Sequence, residues 1–229
     1  MDFSAFEKKI GVVFRDKDLL RTAFTHRSYL NENRESKVAH NERLEFLGDA
    51  VLELITTEYL YAKFPEETEG DLTAYRSALV NATTLGSVAE GLEMNDYLLL
   101  SRGEAKDTGR ARQVILANTI EALIGALYLD QGYAATSDFI ARVLLPRTDE
   151  IVAKRAWLDA KSNLQEKAQE VVGATPAYVT VKEDGPDHDK HFTVAVFLGK
   201  EKIAEGEGKS KQEAEQQAAK LGLEAKGWE

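Results

Sequence analysis

His40 to Leu54, HNERLEFLGDAVLEL, carries four carboxylates in an otherwise largely apolar segment: Glu42, Glu45, Asp49 and Glu53. On an α-helix at about 100° per residue, the four fall within an arc of roughly 80°. Phe46 and Leu52 border that arc, and Leu44, Leu47, Val51, Leu54 and Ile55 cover the far side. Acids crowded on a narrow, partly buried stripe repel one another and lose hydration. They take up protons unless cations neutralise them. A hard divalent cation such as Mg²⁺, which prefers oxygen ligands, supplies that neutralisation. The bland alternative is a solvated face. Such a face is wider and mixes lysine and arginine among its acids, whereas here Arg43 lies off the stripe.

A second segment, VILANTIEALIGALYL (Val114 to Leu129), is almost continuously apolar. Its strongly polar members, Asn118 and Glu121, are three residues apart and share a helix face. A glutamate inside such a helix is rarely left unpaired. A polar pair satisfied within a helix bundle accounts for it as well as a metal does. Taken together, the two helices offer Glu45, Asp49, Asn118 and Glu121 to one metal cluster.

The elements that must position these residues change character along the chain. Up to about residue 150, apolar residues recur at helical spacing in Phe3–Ile10, Leu19–Phe24, Leu44–Phe64, Leu72–Leu92, Val114–Leu129 and Phe139–Leu145. Pro65, Gly70, Gly91, Gly103, Gly109, Gly132 and Pro146 separate them, and Ser101 to Gln113 reads as a loop. After about residue 155, KSNLQEKAQEVVG is a short helix ending at Gly173. AYVTVKE, HFTVAVFL and EKIAEGEG read as three antiparallel strands, the last two joined by a Gly199-Lys200 hairpin turn. A helix capped by Ser210 follows. The expected fold class is an all-α domain followed by a small α+β (α-β-β-β-α) domain, with boundaries 1–150 and 161–229 and a linker at 151–160.

Composition narrows the setting. The 229 residues contain no cysteine, which excludes disulfides, thiolate metal sites and a cysteine nucleophile. The N-terminus is mixed and charged rather than a signal peptide, and the apolar stretches are read as too short for a membrane span. These features suit a cytoplasmic protein with no membrane contact. The net charge of −10 argues at first sight against a nucleic-acid partner.

FTHRSYLNE, HNERLEFLGDAVLEL, LTAYRSALVN and LANTIEALIGALYLDQG together resemble the endonuclease domain of bacterial ribonuclease III. GPDHDKHF and GKSKQEAEQQAA, within the α-β-β-β-α unit, resemble a double-stranded-RNA-binding domain. The resemblance covers essentially the whole chain. It implies an Mg²⁺-dependent endonuclease, with Mn²⁺ a possible substitute. That enzyme hydrolyses double-stranded RNA to 5′-phosphate and 3′-hydroxyl ends in rRNA and mRNA processing. It also implies a homodimer whose signature helices lie near the two-fold axis, with Phe46 packing into the partner subunit. By position, Glu45, Asp49 and Glu121 match central metal ligands, with Asp49 and Glu121 foremost in catalysis. Glu42 and Glu69 match acids lining the same cleft. Asn118 stands where the family usually has aspartate. Its amide oxygen can still ligate Mg²⁺, but one charge is lost, so a cleavage-impaired RNA-binding homodimer is the alternative. The resemblance further assigns RNA contacts to Gln165, Glu166 and Gln169 on the first helix of the small domain. It adds Pro186 and His188 between its first strands, and Lys209, Lys211 and Lys220 at its last helix.

The chemistry agrees with the residues. A phosphodiester repels hydroxide, and paired metal ions can activate water and stabilise the leaving oxygen. No histidine, serine or lysine constellation is needed, and the four histidines show no ligand spacing. The charge objection has a local answer. Residues 160–229 hold ten lysines, no arginine and thirteen acids, a net of −3. Duplex RNA is recognised by shape and by phosphate and 2′-hydroxyl contacts, so placement of a few lysines matters more than the total. Modest affinity that falls steeply with salt is expected.

Overall fold

The computed structural model describes residues 2–153, 160–186 and 190–228. They divide into two compact units, Met1–Trp157 and Leu158–Glu229. The first unit is helical: α1 (Ser4–Ile10), α2 (Lys17–Ala23), α3 (Arg27–Glu32), α4 (Glu42–Lys63), α5 (Glu69–Val80), α6 (Ala82–Gly91), α7 (Arg110–Gln131), α8 (Tyr133–Val143) and α9 (Thr148–Ala153). The second runs α10 (Ala160–Val172), β1 (Pro176–Asp184), β2 (His191–Leu198), β3 (Glu201–Gly208) and α11 (Lys211–Lys226). Both expected fold classes are present.

α7 is the central helix of the first unit, with α2, α4, α6 and α8 packed around it. Leu116, Ile120, Leu123, Ile124 and Leu127 are buried. In length and composition α7 does meet the requirement for crossing a membrane, contrary to the sequence expectation. Much of its apolar surface is buried against neighbouring helices, although Val114 and Leu129 remain exposed. The run read as one helix over Leu72–Leu92 is two. Asn81 adopts extended backbone at ψ 159°, and its side chain accepts the Thr84 N–H at 2.9 Å, starting a new helix without glycine or proline. α3 is a six-residue helix that apolar periodicity does not reveal, because none of its residues is buried.

In the second unit the sheet order is β1-β2-β3, antiparallel throughout. Tyr178, Val196 and Ala204 face one another across the strands and belong to a core with Leu164, Ala218 and Leu223. Gly199 at φ +61° opens the β2–β3 turn, as its sequence requires. β3 carries glycine where α11 comes closest. A Cβ at Gly206 would lie 2.1 Å from the Ala218 nitrogen.

Candidate active site

The acidic stripe and the second polar pair are brought together by a glycine-to-glycine crossing. A Cβ on Gly48 of α4 would lie 1.8 Å from the Glu121 carbonyl oxygen and 2.8 Å from the Gly125 nitrogen. A Cβ on Gly125 of α7 would lie 2.2 Å from the Leu44 carbonyl oxygen. The two backbones are therefore in direct contact, as only glycine permits. Glu45 and Asp49 flank Gly48 on α4, and Glu121 stands one turn before Gly125 on α7. The sequence carried this signal, a lone glycine inside each apolar helix, but spacing of the acids alone did not expose it.

The electrostatics follow from that crossing. Burial, reinforced by the charges of Asp49 and Glu45, pushes the half-buried Glu121 carboxyl up to about 8. Burial, with Glu42 and Asp49, also raises Glu45 above the usual carboxylate range. Every influence on these two carboxyls acts in the same direction, and no cation offsets it. Asn118 is half-buried one turn before Glu121. Among the described residues, no three His, Asp or Glu side chains are already arranged to hold a metal ion. The donor set fits a hard divalent cation, being three carboxylates and an amide oxygen with an uncompensated half-buried acid among them.

Glu42 sits at the N-terminal end of the stripe and is treated differently from its neighbours. The Arg27 guanidinium lies 3.5 Å from Glu42 Oε1, and His40 Nδ1 lies 3.6 Å from Oε2. Sequence spacing gave no hint of Arg27. Glu53 is exposed. Glu69 opens α5 and lines a different cavity of about 490 Å³ with Thr57, Tyr61 and Arg76. Phe46 is 81% exposed in the single chain, so the stripe has the core on one side and an open aromatic ring on the other.

The loop beside this region is firmly held. Arg112 is buried and donates to the carbonyls of Glu104 and Asp107, and Ser28 Oγ accepts the Ser101 N–H at 3.0 Å.

In the second unit, Gln165, Glu166 and Gln169 are exposed together on α10. Pro186 is exposed after β1, whereas His188 lies outside the described residues. Lys209, Lys211 and Lys220 are exposed. Lys211 Nζ rests 5.6 Å from the Phe192 ring centroid and 3.8 Å from Glu183, a support that the sequence reading missed. Ser210 caps α11 by accepting the Glu213 N–H at 3.1 Å.

Residues 16–148 match the sequence profile of a family described as ribonuclease-III-like, and residues 160–226 match the double-stranded RNA binding motif. Ribonuclease 3 of Streptococcus sanguinis is 46% identical over 220 residues, spanning 96% of this chain and 94% of that protein. Ribonuclease 3 of Geobacillus kaustophilus is 45% identical over 222 residues, or 97% and 90% of the two chains. The solved nuclease domain of ribonuclease III from Campylobacter jejuni, reported for flexibility in a region involved in dimer formation, superposes with a TM-score of 0.58. It is 38% identical and covers 63% of this chain and 99% of that one.

Proposed function

Because the chain belongs to the ribonuclease III family, we propose that this double-stranded-RNA endonuclease uses Mg²⁺, with Mn²⁺ able to replace it. The proposed ligands are Glu45, Asp49, Asn118 and Glu121. The observation that carries the reading is the α4–α7 crossing at Gly48 and Gly125, which sets acids from two helices against one another. When bound, a divalent ion there supplies Lewis acidity and charge neutralisation for phosphodiester hydrolysis. Asp49, and Glu121 once a cation displaces its proton, would place negative charge at the centre of the site. The P–O3′ bond breaks and water's oxygen joins phosphorus, leaving a 5′-phosphate and a 3′-hydroxyl. α10, the segment following β1 and the start of α11 bind duplex RNA through Gln165, Glu166, Gln169, Pro186, His188, Lys209 and Lys211. The enzyme works as a homodimer around Phe46, in the cytoplasm and away from membranes, on rRNA and mRNA precursors. Glu42 and Glu69 line the cleft of the assembled dimer.

A long RNA duplex incubated with and without Mg²⁺, with end-group analysis of the products, tests this. Cleavage in the presence of a chelator, or 3′-phosphate ends, rejects it. One observation favours a second reading: Asn118 brings an amide where a fourth charged ligand would hold the metal more tightly. Asn118→Asp should cut faster at low Mg²⁺, and the gap should close as Mg²⁺ rises. A wild-type chain that binds duplex RNA but cuts only as Asn118→Asp establishes the impaired homodimer instead.

A further inference from the structure

Glu42 differs from the other acids of the stripe because a guanidinium stands beside it. Among the described residues, Arg27 and His40 are the side chains that ion-pair with the stripe, and both meet Glu42. Arg27 is the permanently charged one. Its backbone is fixed relative to the stripe from several directions. The His26 N–H donates to the Leu99 carbonyl at 3.1 Å, and the Asn41 N–H, just before α4, donates to the Thr25 carbonyl at 2.9 Å. Asn41 Nδ2 reaches the Ala23 carbonyl at 3.2 Å. The His26 ring accepts the Ser28 N–H and so caps α3 at the residue before Arg27. The segment carrying Arg27 is thus tied to the start of the acidic helix, while its exposed guanidinium is held loosely by Glu42.

The pair itself is built to exchange. The side chains of Arg27 and Glu42 remain 71% and 47% exposed, and 3.5 Å is a loose contact. Exposed ion pairs of this kind contribute little and cost little to break. A phosphate offers a guanidinium a bidentate, doubly hydrogen-bonded partner, which is stronger than one exposed carboxylate. Two other arginines do not take that role: Arg43, next to Glu42 on α4, lies off the stripe, and Arg112 is buried and committed to backbone carbonyls.

We propose that Arg27 anchors an RNA backbone phosphate at the N-terminal end of the acidic stripe, and that Glu42 is a positioning residue holding the guanidinium there until RNA arrives. The stripe then has two functions. Glu45 and Asp49 face α7, and Glu42 serves the arginine. A cleft lined by acids repels its polyanionic substrate, and one fixed cation at its end gives the phosphodiester backbone a register before the acids are approached. This inference rests on the double-stranded-RNA reading of the site and adds a substrate contact to it.

The test uses the full-length chain with Arg27→Ala, Arg27→Lys and Glu42→Gln, a long RNA duplex, and a salt series. Two readouts are needed: duplex affinity without divalent metal, and kcat and KM with Mg²⁺. Arg27→Ala should weaken affinity and lower kcat/KM by roughly 10- to 100-fold, mostly through KM. It should also flatten the dependence of log affinity on log salt by about 1 per subunit. Arg27→Lys should restore the salt slope but only part of the affinity, because a point charge replaces the fork. Glu42→Gln should keep the full salt slope, since the arginine remains. The melting temperature of Arg27→Ala should match wild type, as the pair is exposed. An unchanged salt slope in Arg27→Ala overturns the inference even if cleavage slows, because that pattern marks a purely structural role. The binding series reads Arg27 independently of cleavage. A wild type that fails to cut therefore refutes the proposed function, whereas an unaltered slope refutes the phosphate anchor.

Discussion

Glu121 is a carboxyl whose proton affinity the fold raises strongly. Burial and the charges of Asp49 and Glu45 raise it from its ordinary 4.5 to about 8. The metal-free folded chain therefore keeps that proton through neutrality, while the unfolded chain releases it near 4.5. Between those values the folded state binds the extra proton, so stability falls as pH rises from about 4.5 to about 8. Glu121→Gln stays neutral and should lose that part of the slope. Thermal melts of the metal-free proteins across this range check it: the variant should melt several degrees above wild type at pH 8 and near it at pH 4.5. Parallel curves mean that Glu121 is an ordinary solvated acid. The same proton competes with a cation, so divalent affinity should climb as pH approaches 8. At this scale the residue types were legible in the sequence, because acids among apolar neighbours announce themselves. The partner of Glu42 was not, since Arg27 lies fifteen positions away in a helix with no buried face.

The element scale explains how acids from two helices meet. α4 and α7 touch backbone to backbone at Gly48 and Gly125, and any side chain there would hold them apart. Gly48→Ala would drive a methyl to 1.8 Å from the Glu121 carbonyl, an overpacking that should cost about 3 kcal/mol in urea unfolding. It should also slow cleavage by separating Glu121 from Asp49. Gly91→Ala, at an open site, is the control and should be nearly neutral. Equal stability for both variants would mean that the crossing is not close-packed. Apolar periodicity revealed the longer helices of the first unit, and alternation with β-branched runs revealed the strands of the second. It merged α5 with α6, where a single side-chain cap on Asn81 turns the chain. Likewise it missed α3, which is defined by its His26 cap rather than by an apolar face.

For the whole molecule, the open side of the acidic stripe is the main clue. Phe46 is 81% exposed beside acids that a second subunit would enclose. The chain should be a dimer at micromolar concentration without RNA. Phe46→Ala should raise its dissociation constant by roughly two orders of magnitude, since two rings are lost per two-fold interface. Light scattering over a dilution series decides it, and a monomeric wild type contradicts the dimer. The acidic total of the chain is compatible with RNA binding because lysines are placed locally. Lys211, held over Phe192 beside Glu183, is the clearest case. The central claim, that acids from α4 and α7 hold the metal that cuts duplex RNA, is tested most directly by an Mg²⁺ titration. Wild type and Glu121→Gln should be compared on one long duplex, with binding followed alongside. The account predicts no cleavage by wild type without Mg²⁺, a rise with added Mg²⁺, and a loss of at least about 100-fold in Glu121→Gln at every concentration with duplex affinity unchanged. Cleavage by Glu121→Gln at the wild-type rate would contradict it.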